Sequence, residues 1–331
     1  ALSSFPSSLL VGATSHITTD VPAAPFLWAP PLMIYLLTFV VAFSKKPFIP
    51  HTFAVVLAPL GAGLAMLALS GAAAVSLWVA IFADLFALFI LALACHGELN
   101  ARRPDATHLT QFYLIMSLGG VLGGAFNALL APVIFDNVLE YPLMLVAGVA
   151  LLSVGNARMS RLVLTLLAVA VVALVIAFTL RAMGVVVPQA LRFVLIAPAV
   201  LVIIVSRRAP MGAALGLALA APTGWAVDRV APLMSDRSFF GVVRVADSPG
   251  GEVRMILHGS TVHGVQALKG DKLKPRSYYA PSTPIAQVFS LYSDSRSVGI
   301  AGLGVGVTAS FSRPEQKWTF FEIDPLMVQV A

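Results

Sequence analysis

Long apolar runs fill the first 230 or so positions and then stop. A helix that crosses a bilayer needs about 20 mostly apolar residues. The candidate spans are 27–43, 52–70, 72–95, 110–134, 141–156, 162–180, 184–205 and 209–227. The weakest are 141–156, which is short, and 209–227, which is rich in Ala and Gly and carries Pro222 and Thr223. Past residue 238 the pattern changes. "FFGVVRVAD" (239–247) and "EVRMILH" (252–258) are rich in strand formers and flank "SPGG", which predicts a hairpin; a third strand is expected within 261–268. In "YYAPSTPIAQVFSLY", Ser282 or Thr283 can cap a helix that has Pro284 at its first position. "SVGIAG" then reads as a buried strand, "GLGVG" as a glycine turn leading into a short helix, and "KWTFFEID" as a second strand ending in Glu322.

This pattern predicts three parts: an α-helical transmembrane bundle of about seven to eight helices over 1–234, a small antiparallel β-sheet unit over 235–296, and the truncated start of a Rossmann-like α/β domain of methyltransferase type over 297–331. Charge supports the division. The chain is 59% hydrophobic and 11% charged, against about 25% charged in an average soluble domain. Residues 1–234 hold 18 charges and the 97 residues after them hold another 18. The net charge of +6 divides as +4 and +2, with no basic arm of the kind that marks a nucleic-acid partner. The pairs Lys45/Lys46, Arg102/Arg103, Arg158/Arg161 and Arg207/Arg208 fall on alternate connections, so they share one side, which the positive-inside rule makes cytoplasmic. Asp136 and Glu140 fall on the other side. If 209–227 crosses too, the tail emerges opposite the basic loops; an interfacial or re-entrant segment keeps it with them. Both remain open.

Two charges lie inside spans, Asp84 in "WVAIFADLFALF" and Arg192 in "PQALRFVLI". A charge at the bilayer centre costs roughly 3 kcal/mol on insertion scales, so each is expected to face protein or water, as part of a structural pair or of a substrate or proton path. In "SLGGVLGGAFN", Gly119/Gly123 and Gly120/Gly124 form a small-xxx-small pattern suited to close helix packing. The lone Cys95 can form no internal disulfide, and His258 and His263, five apart, lack a third ligand for a metal. The chain starts at Ala1 without a signal-peptide pattern and is expected to begin partway through a longer protein.

The candidate chemistry sits in the tail. Gly302, Gly304 and Gly306 form G-x-G-x-G at the end of the first strand, where glycine lets a backbone approach a ligand, and helix N–H groups beyond favour polar or anionic ligand atoms. Glu322 follows Gly302 by 20 residues, the spacing at which nucleotide-binding βαβ units carry an acid for the ribose hydroxyls. The third glycine stands one place earlier than in the dinucleotide fingerprint, which favours an adenosyl-sulfonium cofactor over NAD.

"RSFFGVVRV", "HGSTVHGVQ", "RSYYAPSTPIA", "GLGVG" and "FFEIDP", in that order, resemble the spermidine synthase family of aminopropyltransferases, and more closely its bacterial branch fused behind a multi-span membrane region. "PSSLLVGATSHITTDVPAAPFLWAPPLMIYLLTFVVAF" is similar to the membrane part of those fused proteins. The resemblance implies a transferase that moves an aminopropyl group from decarboxylated S-adenosylmethionine to a polyamine such as putrescine. It implies Gln266, Gly302, Gly304, Gly306 and Glu322 as donor-binding residues, and Tyr278 or Tyr279 near the amine. It further implies multi-pass placement in a bacterial inner membrane, no metal, and a homo-oligomer. Two positions depart from the family pattern: Val305 stands where soluble members have Asp, and Ala280-Pro281 follow the tyrosines in place of His-Glu. The family's catalytic Asp lies after the fourth strand, so it is expected beyond Ala331. The alternatives are a transporter or membrane scaffold whose tail senses a polyamine or adenosyl ligand, and a methyltransferase using S-adenosylmethionine.

Overall fold

The computed structural model describes residues 2–20, 28–69, 76–152, 159–227, 232–248, 250–258 and 261–331. The chain divides into two compact units, a helical one (1–134 and 138–229) and a tail (230–331, with 135–137).

The helical unit contains α1 (Ser4–Asp20), α2 (Ala29–Ala42), α3 (His51–Leu69), α4 (Leu77–Ala101), α5 (Leu109–Ala125), α6 (Ala131–Ile134), α7 (Glu140–Leu151), α8 (Arg161–Ala182), α9 (Gln189–Val205) and α10 (Pro210–Ala226). A π-helix, Phe126–Leu130, joins α5 to α6 into one apolar stretch. Among the described residues, four helical stretches are long and apolar enough to cross a membrane: 51–69, 77–101, 106–134 and 161–182. Helices α2, α7 and α9 are apolar but shorter. By length and composition, then, four of the expected seven to eight spans qualify among the described residues. Residue 27, residues 70 and 72–75, residues 153–156 and Arg158 lie outside the described residues.

Local chemistry sets several boundaries. Helices α2 and α10 carry Pro in their first turn, where the missing N–H costs no hydrogen bond. Ser160 caps α8, its Oγ accepting the Val163 N–H at 3.3 Å. The other end of α8 closes at Gly184, φ +69°, where Gly184 N–H reaches Arg181 O and Val185 N–H reaches Leu180 O, both at 3.0 Å. This glycine-centred closure ends one helix, and Pro188 opens the next. The span expected from 184 therefore starts only at Gln189.

The largest departure from the pattern reading is α1, which apolar periodicity does not reveal. Nine of its 17 residues are Ser, Thr, His or Asp. Yet Leu9 and Ala13 are fully buried, and α1 packs against α2, α4, α5 and α7. Hydroxyls bonded back to the helix blunt its polarity: Thr14 Oγ1 donates to Leu10 O at 2.6 Å and Thr18 Oγ1 to Thr14 O at 2.8 Å. The glycine stripe of α5 faces this helix. A Cβ at Gly119 would overlap Ser3 Oγ, and one at Gly123 would overlap the backbone oxygen of Ser4, whereas Gly124 has open space. Helix α10 is among the most buried, packing against α3, α7, α8 and α9 through Ala213, Leu217 and Ala220.

The tail opens with a four-stranded antiparallel sheet in sequential order: β1 (Met234–Ser238), β2 (Gly241–Asp247), β3 (Val253–His258) and β4 (Thr261–Ala267). Strands β2 to β4 were expected; β1, "MSDRS", lacks strand formers and is recruited by pairing with β2. Helix α11 (Pro284–Leu291) follows, then β5 (Ser297–Ala301) and β6 (Lys317–Phe321), which pair in parallel as a separate two-stranded sheet, and α12 (Pro325–Val330). Thr283 holds the cap position of α11, but its Oγ1 donates to Ala280 O at 2.7 Å rather than accepting from the helix. The crossover between β5 and β6 is a five-residue 3-10 helix, Val307–Phe311, not an α-helix. The core of the tail is Val243, Ile256 and Leu326, with Val245, Val305, Met327 and Val330 packed around it.

Candidate functional site

The first strand of a parallel pair must end in a turn that sends the chain back, and here β5 ends in "GLGVG". All three glycines are left-handed, with φ of +89° at Gly302, +56° at Gly304 and +70° at Gly306. Other L-residues are strained there, so glycine answers first to the backbone. It also leaves room: nothing lies within 4 Å of where a Cβ would stand at Gly302 or Gly304. The turn is tied down by Gly302 N–H to Phe321 O at 2.8 Å and Gly306 N–H to Leu303 O at 3.0 Å. The 3-10 helix beyond is too short to supply the helix N-terminus that the pattern suggested.

Glu322, just past β6, reaches this turn. Its Oε2 accepts the Leu303 N–H at 2.7 Å, and its Oε1 accepts the N–H groups of Ile323 and Asp324, both at 2.9 Å. Backbone N–H groups, that of Asp324 first and that of Leu303 next, hold its carboxyl below the usual Glu range. The Gly304 N–H also faces the carboxylate and lowers it, so backbone N–H groups of Leu303, Gly304, Ile323 and Asp324 engage much of its acceptor capacity of about four positions. The acid is thus ionised and held by backbone N–H groups beside an open glycine turn.

The other expected site residues come from the antiparallel sheet and the loop after it. Gly264 of β4 is buried against the turn, where a Cβ would overlap Val305 Cγ2. Gln266 lies two residues further along β4, on the same face, exposed and opposite Arg254. Tyr278 donates its hydroxyl to His263 O, the neighbour of Gly264, and its ring lies 4.5 Å from that of Tyr279, centroid to centroid. Burial, then the neighbouring Tyr279, pushes the Tyr278 hydroxyl up to about 12, so it remains a donor at neutral pH. The structure thus links the glycine turn to Glu322 directly, to β4 through Val305, and to Tyr278 through the β4 backbone. Measured against protein-family models, curated proteins and solved structures, the chain matches none.

Pattern reading missed Asp324. Its Oδ1 accepts the Leu326 N–H at 3.0 Å, capping α12, and its Oδ2 accepts the Ser238 hydroxyl at 2.6 Å from β1. An Asp followed by Pro is a helix-start signal, and "DP" was available to read that way. A groove of about 480 Å³ runs along one face of the β5–β6 pair, between Phe289 of α11 and Phe311, Trp318 and Arg313. It excludes the three glycines and Glu322. Such a groove is what an apolar parallel sheet leaves when one face is only partly covered.

His258 and His263 stand on the neighbouring strands β3 and β4, ring centroids 5.9 Å apart. Burial, then His258, pushes the His263 imidazole below its usual range, which favours the neutral form at pH 7. Asp84 and Arg192 do not pair with each other. Asp84 bonds to His16 and Tyr141, and Arg192 Nε donates to Val187 O at 2.9 Å.

Proposed function

We propose that the tail binds decarboxylated S-adenosylmethionine at the glycine turn, and that the protein is a membrane-anchored aminopropyltransferase of the spermidine-synthase kind acting on a polyamine such as putrescine. The observation that carries this reading is the meeting of Glu322 with an open, left-handed glycine turn. An ionised carboxylate beside the turn suits two vicinal hydroxyls of a ribose, which would share its oxygens with the backbone N–H groups, and the empty space over Gly302 and Gly304 suits the flat adenosyl group beside it. Gln266 and Tyr278 converge on the same turn through β4 and would meet the aminopropyl arm and the amine. The reaction in this proposal is displacement at a sulfonium-activated carbon by a neutral amine, which depends on positioning both partners and on a base that keeps the amine deprotonated. Multi-pass placement in a bacterial inner membrane belongs to the same proposal and is supported by the four long apolar helical stretches.

The test is binding followed by transfer. The full chain in detergent is titrated with decarboxylated S-adenosylmethionine, then incubated with putrescine and assayed for spermidine. Saturable binding supports the donor site, and product formation supports the whole reading. Equal binding of S-adenosylmethionine with methyl transfer in place of aminopropyl transfer would favour the methyltransferase alternative.

A further inference from the structure

The helical unit holds a cluster that donor chemistry in the tail does not use. Asp84 lies seven residues into α4, 1% exposed, among apolar neighbours. Both of its oxygens are engaged. Tyr141, also 1% exposed and the second residue of α7, donates its hydroxyl to Oδ1 at 3.0 Å. His16 of α1 places Nδ1 2.7 Å from Oδ2. A carboxylate only accepts, so Nδ1 carries a hydrogen and points it at Asp84. A second proton on the ring decides the charge of the pair. With it, the imidazolium and the carboxylate cancel; without it, one negative charge stays sealed in the bundle.

We propose that His16, Asp84 and Tyr141 form a proton-binding site inside the helical unit, with His16 the group that takes and releases the proton and Asp84 its fixed counter-charge. Exposure assigns the roles: the His16 side chain is 20% exposed, while the side chain of its partner Asp84 is 1% exposed. On α4 itself the buried His96 lies about three turns further along, with Nδ1 2.9 Å from Thr38 Oγ1, and α5 carries Tyr113. The titratable residue of α2 is Tyr35, bonded to Ser7. That of α3 is His51, at its first position and bonded to Ala94 O on the far part of α4. From α7, Glu140 is a second buried acid, next to Tyr141 in the chain. Packing fixes the geometry, because a Cβ at Gly12 of α1 would stand 2.8 Å from the Tyr141 ring. Protonation of His16 therefore sets the charge across the contact that joins α1 to α4 and α7.

The test is a pH titration of the full chain in nanodiscs, followed by infrared difference spectroscopy between about pH 5 and 8, the range in which histidine changes charge. One imidazole transition should vanish in His16→Gln. In Asp84→Asn that transition should remain, with its midpoint moved by about one pH unit or more, a tenfold change in proton affinity. Tyr141→Phe removes one hydroxyl at constant shape and should move the midpoint by less. If His16→Gln fails to fold, the Asp84→Asn and Tyr141→Phe shifts decide. A wild-type spectrum in His16→Gln, or an unmoved midpoint in Asp84→Asn, overturns the proposal.

Discussion

Glu322 Oε2 accepts the backbone N–H of Leu303 at 2.7 Å, so the acid that follows β6 is bonded to the glycine turn that follows β5. The same carboxylate holds the N–H groups of Ile323 and Asp324. Glu322 is therefore a clamp as well as a candidate ligand, and substituting it alters both roles.

The clamp has a pH signature. The folded state holds the Glu322 carboxyl below its ordinary value. Its contribution to stability is then present above the unfolded value, roughly 4.3, and is lost as pH falls through the lower folded one. Thermal unfolding of the wild type and Glu322→Gln should differ at pH 7, with a gap of about 1 kcal/mol or less because the site is open to solvent, and should converge in acid. A gap that is constant down to the acid limit would refute the clamp.

Gly304 separates backbone strain from ligand space. Its φ of +56° penalises a β-branched residue whatever the room available, whereas Asn tolerates this region. Gly304→Asn should keep the thermal midpoint near that of the wild type and lose donor binding, because its side chain enters the open space over the turn. Gly304→Val should lose both. Unchanged donor affinity in a folded Gly304→Asn protein would remove the turn from the site.

Helix packing in α5 gives a paired prediction. Gly123 abuts the backbone of Ser4, which cannot rotate away, while Gly124 faces open space. Gly123→Val should destabilise the helical unit by about 1–3 kcal/mol or more, as overpacking does, and Gly124→Val should be nearly silent. Unfolding of both variants in detergent checks this; equal effects would contradict the α1–α5 contact.

Much of the architecture is legible in the sequence, and the misses have physical causes. The apolar helices and strands β2 to β6 announce themselves through composition, Pro and Gly. Helix α1 does not, because its Ser, Thr and His residues serve partners on other helices: Ser8 Oγ donates to Asn127 Oδ1 at 2.6 Å, Ser7 meets Tyr35 at 2.9 Å, and His16 meets Asp84. A polar helix is invisible to a search for apolar runs, and it supplies the partner that the sequence left open for Asp84. Strand β1 is silent for a similar reason, since it exists through pairing with β2. In the site, the turn and its acid could be read from spacing. The three N–H bonds to Glu322 and the Gly264–Val305 contact could not, because they depend on how β6 and β4 return to the turn.

Topology is testable within the helical unit. The basic pairs imply that Lys45, Arg102 and Arg207 share one side and that the connection at Met183, 71% exposed, lies on the other. The native Cys95 is buried and should stay silent. Single cysteines at these positions should label from opposite faces of sealed vesicles; labelling of Met183→Cys from the Lys45 side would break the alternation of helices.

The most direct measurement is calorimetric titration of the full chain with decarboxylated S-adenosylmethionine, wild type beside Glu322→Gln. Two hydroxyl bonds to a carboxylate, weakened when one acceptor oxygen becomes an amide, correspond to roughly 10- to 100-fold in affinity at about 1.4 kcal/mol per decade. The account predicts saturable wild-type binding that weakens by that factor in Glu322→Gln at a temperature where both remain folded. Absence of wild-type binding, or equal affinity in the two proteins, would contradict it.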